Sequence, residues 1–513
     1  MNSLQPLQST NRELAHYCEI PHSAPHAPHL RRAPNADTPY SRARARQRKV
    51  LIGFFCFMLL CLALFLESPI FLAVTTGILL SLLALESAFN GHNLLKPSAL
   101  IAGTIAVQFA FTNAIDMAAL GQPDEYKYLA YAVPEYFFTA TLIGLIGGVA
   151  MWLGVRTSER LSVLFQSQLG GFHVRLLVPE KRARKTLLWI LLISLVVGAY
   201  VPLGSLGTIG TIIEMVPLLV IFLWARLLDV RKRRGWLTLY AIVTAIAFHA
   251  FLFSFLRSHI VLPVLFAFLG LMYSTGPRLL RSARVLPLAL ILLLFASVFS
   301  ILGEIRFISG GVDRYYALTE RLKSDEDVEQ LNLIGRLSTI SQLTQVVRLT
   351  EVKGFYNGST MDYLAYVWIP RAVWPDKPLI VAGQKFAEDL EQGRLLETGQ
   401  YSNSINMTIP GELYLNFGFF GVAFGCFITG FILGFIYSAV SCCGPYDLLG
   451  GMITGYVLWL SATTGADLQI MVTLLATYLI FVGLSLLIRI VSNSKANRGQ
   501  NRLQSLSILP TRR

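Results

Sequence analysis

Long runs almost without charge recur along this chain, and they restrict what it can fold into. Residues 98–119, 132–154 and 412–438 hold one charged side chain each. A segment of about 20 apolar residues is what crosses a bilayer as a helix. In hydrocarbon, only helices and closed barrels satisfy every backbone amide. The fold class read from these runs is an all-α polytopic membrane protein. About twelve spans are expected: 50–66, 70–86, 98–119, 132–154, 187–203, 209–225, 237–256, 260–274, 286–303, 412–438, 447–464 and 468–488. Composition agrees, with 54% apolar and only 14% charged residues against about 25% charged in an ordinary soluble domain.

The cations set the topology. With the N-terminus inside, the cytoplasmic segments carry 30 of the 43 Lys and Arg, and the short outer turns carry only Lys127 and Arg257. That bias obeys the positive-inside rule and places both termini in the cytoplasm. The net charge of +13 is therefore a topology signal, and a nucleic-acid partner is excluded. The chain divides into a basic, disordered tail (1–49), nine spans (50–303), a large outer loop (304–410), three spans (411–488) and a basic tail (489–513). The tail histidines His22, His26 and His29 lack a packed frame to fix ligands, and the six cysteines show no metal-type spacing. No metal and no cofactor is expected.

The outer loop holds most of the chemistry. Residues 331–349 read as an amphipathic helix, and "MDYLAYVWIP" as an interfacial or re-entrant segment. "IPRAVWPDKP" at 369–378 follows, its three prolines fixing the backbone around Arg371, Trp374, Asp376 and Lys377. Arg371 is either a phosphate ligand or the partner of Asp376 in a stiff strut. Arg257 is a snorkelling interfacial residue or a diphosphate clamp. Arg306, Arg336, Arg371 and Lys377 would join Arg257 in an electropositive mouth, and Trp374 offers a face for a sugar ring. His259 is a proton carrier or a satisfied polar residue at a helix start. Glu412 is a helix-start acid favoured by the dipole, or a base for a sugar hydroxyl, with Asn416 one turn on as a substrate ligand. Gly421, Gly425, Gly430 and Gly434 recur at about one-turn spacing and read as a close-packing face for a neighbouring helix. Asp116 and Glu214 lie in or near apolar runs and stand as proton-relay or structural residues. The sequons at Asn357 and Asn406 matter only in a secretory eukaryotic setting.

"RS" in a short outer turn, "IPR" followed by "WPDKP", "AGQKF" and "GELYLNFGFFG" opening a span together resemble the bacterial oligosaccharide repeat-unit polymerases, the Wzy-type O-antigen and exopolysaccharide enzymes. The likeness is densest over 335–435. It implies a C-type glycosyltransferase-like bundle in the bacterial inner membrane, without metal, acting on undecaprenyl-diphosphate-linked oligosaccharides at the periplasmic face. It also implies membrane lipids and a chain-length regulator as partners. In that frame Arg257, Arg306 and Arg371 hold diphosphates with Lys377 assisting, and Glu412, then Asp376 and His259, are the candidates for activating the acceptor. The alternatives are an O-antigen ligase, a transporter or lipid flippase, and a non-catalytic scaffold. No repeat relates 50–274 to 286–488, which weighs against the transporter.

Overall fold

A computed structural model describes residues 57–89, 95–119, 133–169, 180–200, 208–229, 232–253, 257–276, 285–287, 290, 316, 338–367, 369, 374, 376–378, 382–390, 405–441, 446–463, 468, 471–479 and 482–483. The chain forms two compact units, Met1–Leu59 and Leu60–Arg513, and the described residues lie almost wholly in the second.

That second unit is helical throughout its described residues. In chain order the helices are α1 (Pro69–Phe89), α2 (97–119), α3 (Phe137–Leu169), α4 (Glu180–Tyr200), α5 (Thr208–Arg226), α6 (Arg233–Phe253) and α7 (Arg257–Thr275). The outer loop supplies α8 (Ile340–Lys353) and the short α9 (Ala382–Asp389), and α10 (Ile409–Ser441) and α11 (Leu448–Ala462) follow. Prolines sit where they fit: Pro97 opens α2 and Pro134 opens the single 3-10 turn ahead of α3, positions whose amide needs no partner. Four helical stretches, Pro69–Ala88, Pro97–Ala119, Pro134–Ser162 and Ile409–Val440, are long and apolar enough to cross a membrane. Large apolar side chains such as Trp189, Ile193, Phe248 and Phe420 stand exposed on the helices. That outer surface suits hydrocarbon and not water. The architecture is that of a helical membrane protein.

Glycines hold the middle of the bundle together. α3 and the later part of α10 pack along their length, and at two points no side chain separates them. A methyl on Gly154 would strike the carbonyl of Phe427, and one on Gly430 the carbonyl of Met151. Gly434 sits the same way against Val155 and Ser158. Small residues let backbones approach where no hydrophobic drive brings helices together in lipid. α1 and α2 pack on one side of this pair, and α11 joins it to α5 and α7.

Three sequence expectations change in detail. α3 runs well past 154, into a segment counted as cytoplasmic. The amphipathic helix of the loop starts only at Ile340, after Ser338 and Thr339 have turned their polar groups to α2. Gly421 and Gly425 do not face a neighbouring helix; they face Leu413 and Phe417 of their own.

Candidate functional site

The last observation exposes a break. Leu413 and Gly425 are twelve residues apart, which would separate them by about 18 Å along a straight helix. Instead a methyl group on Gly425 would run into the Leu413 side chain. Pro410 and Cys426 likewise both flank Gly147. α10 is thus two helices, 409–417 and 419–441, folded back on each other at Gly418 (φ 63°, ψ −155°), a conformation open essentially to glycine alone. The sequence reading places an interfacial or re-entrant segment at "MDYLAYVWIP" and does not foresee this fold-back. That stretch forms a 3-10 turn, Asp362–Ala365.

The half-helix 409–417 is capped at both ends, as a broken helix in a membrane protein must be. At its start the Thr408 hydroxyl accepts from Gly411 N at 3.3 Å, and Thr408 O accepts from Glu412 N at 2.9 Å. Thr408 holds a positive φ of 63°, uncommon for a residue with a side chain. At the far end the carbonyls of Leu415 and Asn416 accept from Tyr356 N (3.0 Å) and Asn357 N (3.2 Å). α8 lies against the first turn, where a methyl on Gly411 would come within 3.2 Å of Leu343 and 3.5 Å of Val346.

Two of the expected site residues share this half-helix. Glu412 is 2% exposed and Asn416 0%. The Tyr363 hydroxyl lies 3.3 and 3.5 Å from the two Glu412 carboxylate oxygens. Asn416 Nδ2 donates to Thr360 Oγ1 at 2.7 Å and to Glu412 O at 2.8 Å, while its Oδ1 accepts from Gly358 N at 2.9 Å. Asn416 therefore fastens the loop 358–360 to the half-helix, and Tyr363 from the same loop reaches the acid.

Lys377 and Trp374 meet one turn further along that loop. Lys377, 5% exposed, donates from Nζ to Val367 O (3.1 Å) and Ile369 O (2.9 Å). Its charge also stands 5.9 Å from the centre of the Tyr366 ring, a cation–π distance. Trp374, 39% exposed, meets Tyr366 edge to face with ring centres 6.2 Å apart. Lys377 is thus built into the loop, and Trp374 presents a free face. Burial first, and then the Asp362 carboxylate, raise the Tyr366 phenol above its ordinary range. Asp376 is exposed.

The remaining candidates are Arg257, His259, Arg306, Arg336, Arg371 and Glu214. Arg257 and His259 lie in the first turn of α7. Arg306, Arg336 and Arg371 lie outside the described residues. Glu214 is exposed on α5. The site residues that the sequence reading missed are neutral: Gly358, Thr360, Tyr363 and Gly418. Only Gly418 carried a signal, as one of two glycines amid the aromatics of "NFGFFG".

An apolar cavity of about 260 Å³ opens between the loop, the two halves of α10 and residues 468–475. Met361 and Leu364 of the loop, Leu413 of the half-helix, and Gly425, Ile428 and Ile432 of the long half line one side. Leu468, Met471 and Leu475 line the other. Leu364 and Leu413 are each next in chain to a member of the Tyr363–Glu412 pair, so the same two segments that hold the buried acid also contribute to the cavity lining. Among the described residues no group of three acids, histidines or cysteines is placed to hold a metal. Comparison with protein-family models, with curated proteins and with solved structures finds no match to this chain.

Proposed function

We propose that this protein is a polymerase that joins undecaprenyl-diphosphate-linked oligosaccharide repeat units into O-antigen or exopolysaccharide. It acts at the periplasmic face of a bacterial inner membrane, with about twelve spans and both termini inside. The observation that carries the reading is the buried Glu412 carboxyl, met by Tyr363 of the outer loop, in a half-helix whose Leu413 lines a hydrocarbon cavity. A lipid-linked sugar needs both surfaces at once, one for its tail and one for its reacting hydroxyl. In the proposed step an acceptor hydroxyl oxygen attacks the anomeric carbon of the donor, the bond from that carbon to the diphosphate oxygen breaks, and Glu412 takes the hydroxyl proton. The departing diphosphate gains charge as it leaves, which cations stabilise. Arg257, Arg306, Arg336 and Arg371 are assigned that role. Lys377 and Asn416 shape the loop around it, and Trp374 offers a sugar platform.

The test is the polysaccharide ladder of cells that depend on this gene for polymer. Glu412→Gln and Arg371→Ala should each leave single capped repeat units while the protein still accumulates in the membrane. A normal ladder from both, with expression confirmed, rejects the reading. Unattached long polymer would indicate the ligase instead. A lipid flippase is the second reading, favoured by the helix broken at Gly418 and the acid in α2, since both features are used by transporters. It predicts that loss of the protein traps lipid-linked units on the cytoplasmic side.

A further inference from the structure

A second buried acid, Asp116, lies in α2 at the seam where Ser338 and Thr339, the lead into α8, meet that helix. In α2 the helix Pro97–Ile105 passes into a π-helical stretch, Ala106–Phe111, and returns to α-helix over Thr112–Ala119. A π-turn closes between residues five apart, and such bulges concentrate at functional positions. Here the turn brings Gln108 and Asn113 onto one face, and Asp116 follows three residues later on the same stripe. Opposite them stand Ser338 and Thr339, just ahead of α8.

The hydrogen bonds across the seam can be counted. Asn113 Oδ1 accepts from Ser338 Oγ (3.0 Å) and Thr339 N (2.9 Å), and Nδ2 donates to Phe109 O (3.1 Å) and Thr339 Oγ1 (3.4 Å). Thr339 Oγ1 donates to Gln108 O at 3.3 Å. Ser338 Oγ also accepts from Ile340 N at 3.4 Å. Asn113 is thereby fully used. Asp116 is 2% exposed, and its polar partner is the Ser338 hydroxyl. A hydroxyl carries a single proton, and Asn113 already competes for this one. The buried Asp116 Oδ1 is left without a partner, and so are Oε1 of Gln108, in the π-helical stretch of α2, and Oε1 of Gln342, in the first turn of α8. All three are acceptors, and one belongs to an acid. Water can donate to an acceptor, but it does not neutralise a carboxylate. A buried unpaired charge is among the most costly things a protein interior can hold.

We propose that the α2–α8 seam binds a monovalent cation at Asp116, with sodium ion or a proton as occupant. The ligand chemistry decides the class. One carboxylate, hydroxyls and amide oxygens form a hard, singly charged set, without the imidazole or thiolate that selects transition metals. Calcium sites draw on several oxygen ligands and on more than one acid in most cases. Among the described residues no ion pair reaches Asp116. Charged groups on the packed elements stand elsewhere: Glu67 precedes α1 and Glu86 ends it, Glu135 precedes α3, and Arg348, Glu351 and Lys353 lie on the later turns of α8. The site does not depend on the polymerase reading.

The full-length protein in lipid nanodiscs tests this by thermal unfolding, followed through tryptophan fluorescence. Sodium, potassium and choline chlorides are compared at equal ionic strength, at mildly acidic and mildly alkaline pH. A ligand that binds only the folded state raises the midpoint in a saturable way. Sodium should do so for the wild type, and Asp116→Asn should abolish the response while unfolding no lower in choline than the wild type does. If sodium has no effect but acid raises the midpoint in choline, and Asp116→Asn removes that response, the site stands and its occupant is the proton. A wild type indifferent to both, or a variant that responds as the wild type does, overturns the proposal. Should Asp116→Asn fail to accumulate, Ser338→Ala keeps the acid and removes its neighbour. Half-saturation should then shift several-fold, and an unchanged value also overturns the proposal.

Discussion

Two seams of this bundle are built on opposite plans. Between α3 and the long half of α10, glycines bring backbone against backbone, and nothing polar is required. Between α2 and the residues that lead into α8, side chains meet through hydrogen bonds, and the buried Asp116 keeps an unpartnered oxygen. The first has no room to change and suits a frame. The second carries charge and spare capacity, which suits a place where something binds or moves. α8 spans the two plans: Thr339, its N-cap, meets Asn113 of α2, its middle covers Gly411 of the half-helix, and Glu351 near its end accepts from Tyr136 at the start of α3.

The largest effect should come from the glycine seam. Gly154→Ala or Gly430→Ala places a methyl group against a backbone carbonyl that cannot move aside. Overpacking of this kind costs about 1–3 kcal/mol or more, and two helices would have to separate. Neither variant should accumulate normally in the membrane. Gly103→Ala is the control, because its methyl would meet only Ala84, at 3.9 Å. It should be tolerated, and immunoblots of membrane fractions separate the two outcomes. Equal accumulation of all three would mean that the close approach does not hold the bundle.

The polar seam should give way by a smaller amount. Asn113→Ala strands one buried donor, the Thr339 amide, at about 1–3 kcal/mol, while the bond from Thr339 Oγ1 to Gln108 O stays. A lowered unfolding midpoint of the purified protein, with the chain still inserted, is the expected result. The same midpoint as wild type would show that the seam is already open to water.

How much of this was legible in the sequence depends on the physics involved. Apolar runs report helices directly, so α1, α2, α3 and the long half of α10 were visible as spans, while the break at Gly418 was not. Gly430 and Gly434 were visible as a packing face because small residues in a span have few other uses. Gly421 and Gly425 misled for the same reason: spacing cannot show that a chain doubles back on itself. Glu412 and Asn416 were legible as polar residues one turn apart in an apolar helix. Their partners Thr360 and Tyr363 were not, because a neutral residue in a loop looks alike whether it meets water or a buried acid. Asp116 was noticed, but its surroundings depend on a π-turn and a contact across more than two hundred residues, and no local pattern encodes either.

Gly418 tests the fold-back itself. Any residue with a side chain is strained at φ 63° and ψ −155°, by about 1–2 kcal/mol, and a methyl here would also press on the Phe355 ring at 3.1 Å. Gly418→Ala should lower the unfolding midpoint modestly and reduce polymer length if Glu412 serves the acceptor, since the half-helix carries that acid. A normal midpoint would mean that the break is not needed.

The smallest effect is expected where α8 runs out. Lys353 Nζ and the Tyr356 hydroxyl both reach Asp389 of α9, each at 2.7 Å. The Lys353 pair is partly exposed, so the ion pair contributes little. Tyr356 is different. Burial first, and then the hydrogen bond and charge of Asp389, raise its phenol well above the ordinary range. A folded-state value above the unfolded one means that the stabilisation is whole below the unfolded pKa of about 10. It is lost as pH rises from there through the folded value. Tyr356→Phe removes one hydrogen bond, worth about 0.5–1.5 kcal/mol at neutral pH. It should also flatten the alkaline fall in stability while leaving the neutral-to-acid side unchanged. Unfolding midpoints from neutral pH upward measure this. An alkaline limb identical in both proteins would assign the loss of stability to other groups and leave α9 joined to α8 by Lys353 and packing alone.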